Sequence, residues 1–372
     1  MRSLRKLLLK PFIIVLTCSL SLPSFAIDFE DAVFPELATS ARALAMGNAY
    51  VAKADDASAV YYNPAGLGTV RKTHFHLSNF HMEFNKGWID NSTRGSVLDV
   101  FPEMMDAFSL EGQRKSLVKN KGTISHQRFH FLPNFTTRYF SLGYLLSKRT
   151  RATIGTEAGA SFEYADRRDH GPYAALNISL FGGVFKIGGS ATYLNRKEIV
   201  GESDANTEYN ENPDEIKKGA AVIVVAGAKL TLPITFLPTL AVKMNNAFDQ
   251  KFSEGSTNGA PTDVLNSMDV GFSLTPQIGK VVRMHLEANY KDISSEYDGV
   301  ATNRKLTFGI EFDIARKFFI RAGYGDGWGS AGLGIKSQKL EFDLTTYAVD
   351  TTSNEFRGEE DRRFALSFSY GL

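Results

Sequence analysis

Segments in the C-terminal half alternate apolar and polar side chains without a break, and this limits the possible folds more than any other feature of the chain. Arg304 to Ile314 puts Leu306, Phe308, Ile310, Phe312 and Ile314 on one face, with Lys305, Thr307, Gly309, Glu311 and Asp313 on the other. Val281 to Lys291 sets Val282, Met284, Leu286, Ala288 and Tyr290 against Arg283, His285, Glu287, Asn289 and Lys291. The last segment sets Phe364, Leu366, Phe368, Tyr370 and Leu372 against Arg363, Ala365, Ser367, Ser369 and Gly371. Successive side chains of a strand point to opposite faces, so period two marks strands with one apolar face. These strands recur as hairpins with no helical layer, and a soluble protein would need a second apolar sheet to cover them. A transmembrane antiparallel β-barrel needs no such cover, because lipid supplies it. The expected fold is therefore all-β, a barrel that crosses the membrane with strands.

Composition agrees. Only alternate residues of a barrel strand face lipid, so the average is near neutral, and the mean hydropathy is −0.18. The 28 Phe and 14 Tyr suit a lipid-facing surface with aromatic girdles. Residues 1–26 read as a signal peptide: Arg2, Arg5, Lys6 and Lys10, then the apolar run Pro11 to Leu22, then Ser24-Phe25-Ala26 before Ile27. The single cysteine, Cys18, falls inside it. The leader holds four of the 42 Lys+Arg and none of the 41 Asp+Glu, so the remainder carries 38 − 41 = −3. That excludes a generic polybasic nucleic-acid or anionic-lipid binder. No later apolar run reaches the length of a membrane helix.

Connections alternate between short and long, as a barrel with periplasmic turns and extracellular loops requires. Short turns are expected near Phe181-Gly182-Gly183, Pro233 to Pro238, Pro276 to Lys280 and Ala315 to Lys317. Long loops are expected at Gly201 to Lys218, Asp249 to Asn266, Ser294 to Thr302 and Asp350 to Asp361. The longest connection, Asn85 to Thr123, includes the helix-compatible stretch Met104 to Val118. A first count gives fifteen strands, and parity requires an even number for chain ends on one side. Treating Tyr139 to Ala165 as one unit gives fourteen. Asp166-Arg167-Arg168-Asp169-His170 then falls in a solvated extracellular loop.

Residues 27–70 do not alternate. Ala41, Ala43, Ala45, Gly47 and Ala49 are small, Ala41 to Ala54 is helix-compatible, and Asp55-Asp56 follows. Tyr61-Tyr62-Asn63-Pro64-Ala65-Gly66-Leu67 reads as a turn: Pro64 keeps Asn63 out of the helical region and Gly66 permits positive φ. The residues alone allow either a surface helix and turn or a segment folded into the lumen. A lumen of fourteen strands is too wide for side chains alone to fill. Met46-Gly47-Asn48-Ala49, then Ala54-Asp55-Asp56-Ala57-Ser58-Ala59, then Asn63-Pro64-Ala65 resembles the N-terminal plug, or hatch, of the long-chain fatty-acid outer-membrane transporter (FadL) superfamily. Arg321-Ala322-Gly323-Tyr324 and the closing Phe368-Ser369-Tyr370 look like its compact, PorV-like branch, which includes attachment or shuttle partners of secretion systems.

The resemblance implies a fourteen-stranded outer-membrane barrel over residues 71–372 with residues 27–70 as plug. Met46, Gly47, Asp55, Asp56, Asn63, Pro64 and Ala65 take plug and gating roles under it, with Asn63-Pro64-Ala65 holding the plug to the wall and Gly47 permitting close approach. It implies passive uptake of a hydrophobic compound such as a long-chain fatty acid, with no cofactor and no enzymatic step. Outer-membrane lipid and a hydrophobic small molecule are the partners, with an exported protein or secretion machine as a further one. The chain is shorter than typical fatty-acid transporters and lacks the pair of long apolar extracellular segments that form the family's ligand groove. A docking barrel and a porin-like barrel therefore stand as alternatives. The charged inward faces (Arg283, Glu287, Lys291, Lys305, Glu311 and Asp313) restrict any apolar pocket to the neighbourhood of the plug.

Three further signals carry less. His74 and His76 share a face and His81 follows, but nothing completes a metal-ligand set, so solvated or girdle positions are expected. Gly327-Trp328-Gly329-Ser330-Ala331-Gly332 matches G-x-G-x-x-G, yet a strand follows where a dinucleotide site needs a helix, so it reads as a hairpin turn. His126, His130 and His285 find no serine or acid partner in the sequence, so no hydrolytic constellation is expected.

Overall fold

The computed structural model describes residues 32–71, 73–92, 108–352 and 355–371. The signal peptide and Cys18 lie outside the described residues, as do residues 104–107 of the expected helix. Among the described residues, fourteen antiparallel strands form one closed sheet. They are β1 (His74–Asn85), β2 (Ile124–Phe131, resumed as Asn134–Thr136), β3 (Phe140–Ile154), β4 (Phe162–Leu180), β5 (Phe185–Ser203), β6 (Lys217–Thr231) and β7 (Thr239–Met244), followed by β8 (Met268–Leu274, extended by Gln277–Ile278), β9 (Val282–Tyr290), β10 (Leu306–Ile314), β11 (Phe318–Gly325), β12 (Trp328–Lys336), β13 (Leu340–Asp350) and β14 (Glu360–Gly371). Each strand pairs with its neighbours in sequence, and β1 pairs with β14 to close the ring. The two interruptions fall at Leu132-Pro133 and Thr275-Pro276, where proline has no N–H to give the ladder.

The count agrees with the sequence reading, but the route to it does not. Tyr139 to Ala165 is not one unit: Phe140–Ile154 is a complete strand and a new one begins at Phe162. The two segments that merge lie one element later, because Asp166 to His170 is not a loop. It runs inside β4, with Asp166 paired to Thr150 and Ile199 and Asp169 to Ser147 and Arg196. A run of charges suggests a loop, but these sit on a strand that projects past the apolar belt.

The expected short turns join strands at one end and the expected long loops join them at the other. Asp326-Gly327 makes the tight turn before β12, as the hairpin reading of the glycine-rich motif required. Outward side chains form an apolar belt: Leu142, Leu176, Ile178, Ile187, Phe308, Ile320 and Leu344 are all exposed. On β4 the belt runs from His170 to Leu180; ten steps of about 3.3 Å, tilted by about 40°, cover about 25 Å, the height of the apolar band of a membrane barrel.

The first long loop turns back over the outside of the wall. After β1 come α3 (Lys86–Ser92) and α4 (Leu110–Lys119); the preceding α1 (Ala41–Ala45) and α2 (Ala59–Tyr62) belong to the N-terminal segment. Ser109 caps α4 by accepting from the Gly112 N–H at 2.9 Å. Leu110 and Leu117 pack with Ala152, Ile154, Phe162, Tyr164 and Ile199, residues of the long-loop ends of β3, β4 and β5. Phe84, Trp88 and Phe108 stack beside them. The Arg114 guanidinium, bonded to both oxygens of Glu111, holds that carboxyl below the usual carboxylate range.

Candidate functional site: the N-terminal segment in the lumen

Residues 32–71 lie inside the barrel and are almost wholly buried. The segment begins as the short helix α1 and stops being helical at Met46, earlier than the helix-compatible run to Ala54 suggested. Gly47 at φ 63° and Asn48 at φ 62° explain the stop, since both sit in the left-handed region. A second short helix, α2, precedes a 3-10 turn over Pro64–Thr69. Asn63 is extended, as a residue before proline should be. Gly66 does not use positive φ; its missing side chain lets the backbone pass the Ala54 carbonyl, which a Cβ would overlap.

Small residues on the wall receive this backbone. A Cβ at Gly309 or Gly323 would strike Met46, and one at Gly325 would strike Gly47. Conversely, a Cβ at Gly47 would overlap the Tyr324 backbone. On a different stretch of wall, Gly188 of β5 faces Pro64 and Gly227 of β6 faces Asn63. The Asn63 amide donates to the carbonyls of Val51 at 3.0 Å and Val242 at 3.3 Å, while its oxygen accepts from the Ala65 N–H at 3.1 Å. Met46 and Gly47 thus dock on β10 and β11, and Asn63, Pro64 and Ala65 on β5 to β7.

Asp55 and Asp56 turn to Arg42, at 2.7 and 3.2 Å. Asp56 also accepts from the Tyr50 hydroxyl at 2.6 Å. Arg42 donates twice to Glu311 of β10, each bond 2.7 Å, and Arg321 of β11 binds the same carboxylate at 2.8 Å and Asp343 at 2.5 Å. A second network holds the start of the segment: Glu36 accepts from Lys243 at 2.8 Å, Lys291 at 3.1 Å and Asn48 at 2.9 Å, with Asp269 beside both lysines. Apart from the half-buried Asp55 and Asp56, both networks are buried, so each charge relies on its partners. Glu311 and Lys291 were legible as inward-facing charges. Arg42, Glu36 and the receiving glycines were not singled out; a glycine at an inward position of a strict alternation is the signal that finds the last, while nothing local marks Arg42 or Glu36.

A third cluster involves the histidines. His81 is not solvated but buried, with Nδ1 2.7 Å from Ser367 Oγ and Nε2 2.6 Å from Glu83. Glu83 also takes the Tyr347 hydroxyl at 2.6 Å and the Thr39 hydroxyl, and His81 stacks on His130, whose Nε2 donates to the Thr39 carbonyl at 2.8 Å. Serine, histidine and carboxylate follow one another here in a way the sequence alone could not pair. The adjoining cavity is only about 60 Å³, room for waters but not for an ester substrate. The cluster clamps Thr39 of the segment to β1, β2 and β14. Among the described residues no group of three or more His, Cys, Asp or Glu is placed to hold a metal ion.

The lumen is not polar throughout. Leu132, Leu145, Tyr173, Leu194, Ala221 and Ile223 of β2 to β6 and their connections form one apolar cluster, reaching from Phe252 in the loop after β7 to Tyr61, Leu67 and Val70 of the segment. An outer-wall groove of about 390 Å³, lined by Phe272, Leu286, Ala288, Phe308 and Tyr324, lies behind the glycines that receive Met46.

No protein-family profile matches this chain, and no curated protein matches it in sequence. Solved structures do. The CymD monoaromatic hydrocarbon channel aligns over 91% of this chain and 99% of its own, with a TM-score of 0.51 at 9% identity. A FadL homologue of Pseudomonas aeruginosa aligns over 89% and 98% with a TM-score of 0.45 at 12% identity, and the P. putida toluene transporter TodX over 90% and 98% with 0.44 at 9%. At such identities the likeness is one of fold alone, and along nearly its whole length this chain shares the fold of the CymD channel.

Proposed function

We propose that the chain is a bacterial outer-membrane channel for passive uptake of a hydrophobic compound, with residues 27–70 as its plug and 71–372 as its barrel. The observation that carries this reading is the apolar cluster running down the inner wall from Phe252 to Tyr61 and Val70. Its residues are buried against one another and against the segment, so it is a closed apolar seam that an apolar solute, unlike water or ions, can follow once the segment shifts. Long-chain fatty acids are one ligand class of matching chemistry, and monoaromatic hydrocarbons, for which the structurally similar CymD channel is named, are another. Release requires the plug to move, and the residues expected to hold it are Asn63, Pro64 and Ala65 on one side, Met46 and Gly47 on the other, and Asp55 and Asp56 through Arg42.

A second reading, a docking barrel for an exported protein or secretion machine, is favoured by the two buried ion networks that lock the segment in place. The two readings separate on Asn63→Ala, which removes three hydrogen bonds, at roughly 1 kcal/mol each. Uptake of labelled fatty acid and of toluene into proteoliposomes is measured beside ion conductance. Under the transport reading the wild type takes up at least one compound and the variant changes both uptake and conductance. A wild type that takes up neither, with a variant of unaltered conductance, would leave the docking reading.

A further inference from the structure

The outward faces of β3 to β6 carry a row of cations that the uptake reading does not use. In the antiparallel register Lys148 stands opposite Arg168, Arg168 opposite Lys197, and Lys197 opposite Lys218, so four cations face out on four consecutive strands. Neighbouring strands are about 5 Å apart, and like charges directly opposite one another destabilise a sheet. Nearby acids offset part of this charge. Arg168 bonds Asp166 at 2.7 Å and Glu211 at 2.6 Å, and Lys148 lies 3.7 Å from Asp166. Four cations against these two carboxylates leave 4 − 2 = +2. Lys197 and Lys218 make no side-chain hydrogen bond or ion pair with the described residues, and Lys197 is exposed.

The row sits at the upper edge of the belt. Four residues nearer the middle, Tyr144 and Tyr193 flank Pro172 on the same outward face, and the Tyr144 hydroxyl meets His170 Nδ1 at 2.9 Å. Tyrosine at this position marks the interface between hydrocarbon and headgroups. Below it Leu142, Leu176 and Ile178 are exposed and apolar. The row is at the long-loop end, so it faces the outer leaflet.

We propose that this row is a binding site for the phosphates of an anionic, phosphorylated glycolipid of the outer leaflet, whose acyl chains lie along Leu142, Leu176 and Ile178. The inference rests on the outer-membrane reading. An anion that spans two or more of the cations removes the repulsion along the row, and one with two phosphates can reach both the paired and the unpaired cations.

The test is native mass spectrometry of the full chain in phosphatidylethanolamine nanodiscs containing bisphosphorylated lipid A, monophosphorylated lipid A or phosphatidylglycerol. The expected order of retention is bisphosphorylated over monophosphorylated over phosphatidylglycerol. Lys197→Gln/Lys218→Gln should lower retention of bisphosphorylated lipid A tenfold or more, at about fivefold per basic residue near an anionic surface. Lys339→Gln, at the opposite end of the barrel, should leave it unchanged. Equal retention of lipid A and phosphatidylglycerol, or a double variant that retains lipid A like the wild type, overturns the site while leaving the membrane reading intact. Insertion itself, read as heat-modifiable migration, tests that reading separately; a wild type that does not insert overturns both.

Discussion

Gly47 brings two requirements together at one residue. Its φ of 63° is unfavourable for any residue with a Cβ, and that Cβ would overlap the Tyr324 backbone. Gly47→Ala should therefore displace the segment from β10 and β11, at a cost of at least about 1–2 kcal/mol from the backbone alone. The expected outcome is a raised single-channel conductance in planar bilayers, with the barrel still heat-modifiable; conductance equal to the wild type would refute the proposed seal. Gly47 was singled out through the resemblance, and the close approach of backbone there is what a residue without a Cβ allows. Its receivers were not, because Gly309 and Gly323 sit in strands whose alternation is satisfied equally well by any small inward residue. Likewise Arg42 is one arginine in an alanine-rich run, and nothing local ties it to Glu311, 269 residues away.

At the scale of elements, α4 is held to the outer wall by its apolar side. Leu117 is fully buried against it, so Leu117→Ala should cost about 2–5 kcal/mol. That cost should fall on the docking of the helix rather than on the barrel. Limited proteolysis within residues 86–123 is expected to quicken while the barrel remains resistant to denaturation by detergent; unchanged cleavage would mean that the helix is held by something else. The alternation in β9, β10 and β14 marked those strands directly, since each is one belt height long. The charged middle of β4 hid that strand, because β4 continues past the belt into water, where polar residues face outward as well as inward. The helix on the outside explains why Ala152, Ile154, Phe162 and Tyr164 are apolar and outward-facing beyond the membrane edge.

For the molecule as a whole, the outward belt decides the solvent. Leu176 is 67% exposed near the belt's middle, an arrangement that costs little only in hydrocarbon. Leu176→Arg should destabilise the barrel by about 2–4 kcal/mol in equilibrium denaturant titrations of protein folded into liposomes. A change within experimental error would place that face away from the bilayer core. Strand number followed from parity, a property of the whole ring, although parity misplaced the connection between β3 and β4. What fills the ring depends on pairings between distant residues, which a single sequence does not display.

The partners of the segment carry a consequence for how the molecule is made. Ala41 and Ala45 are bonded by Thr345 and Ser330, 304 and 285 residues further along, and Arg42 by Glu311. The segment that precedes β1 thus has most of its α1 contacts on the last four strands. Helices of five and four residues do not persist unaided in water. The segment's fixed structure therefore depends on the last strands being present, and Thr39, bonded to Glu83 of β1 beside Ser367 of β14, lies across the seam where β1 meets β14. Closure of that seam and docking of the segment are therefore coupled, since each completes contacts that the other needs.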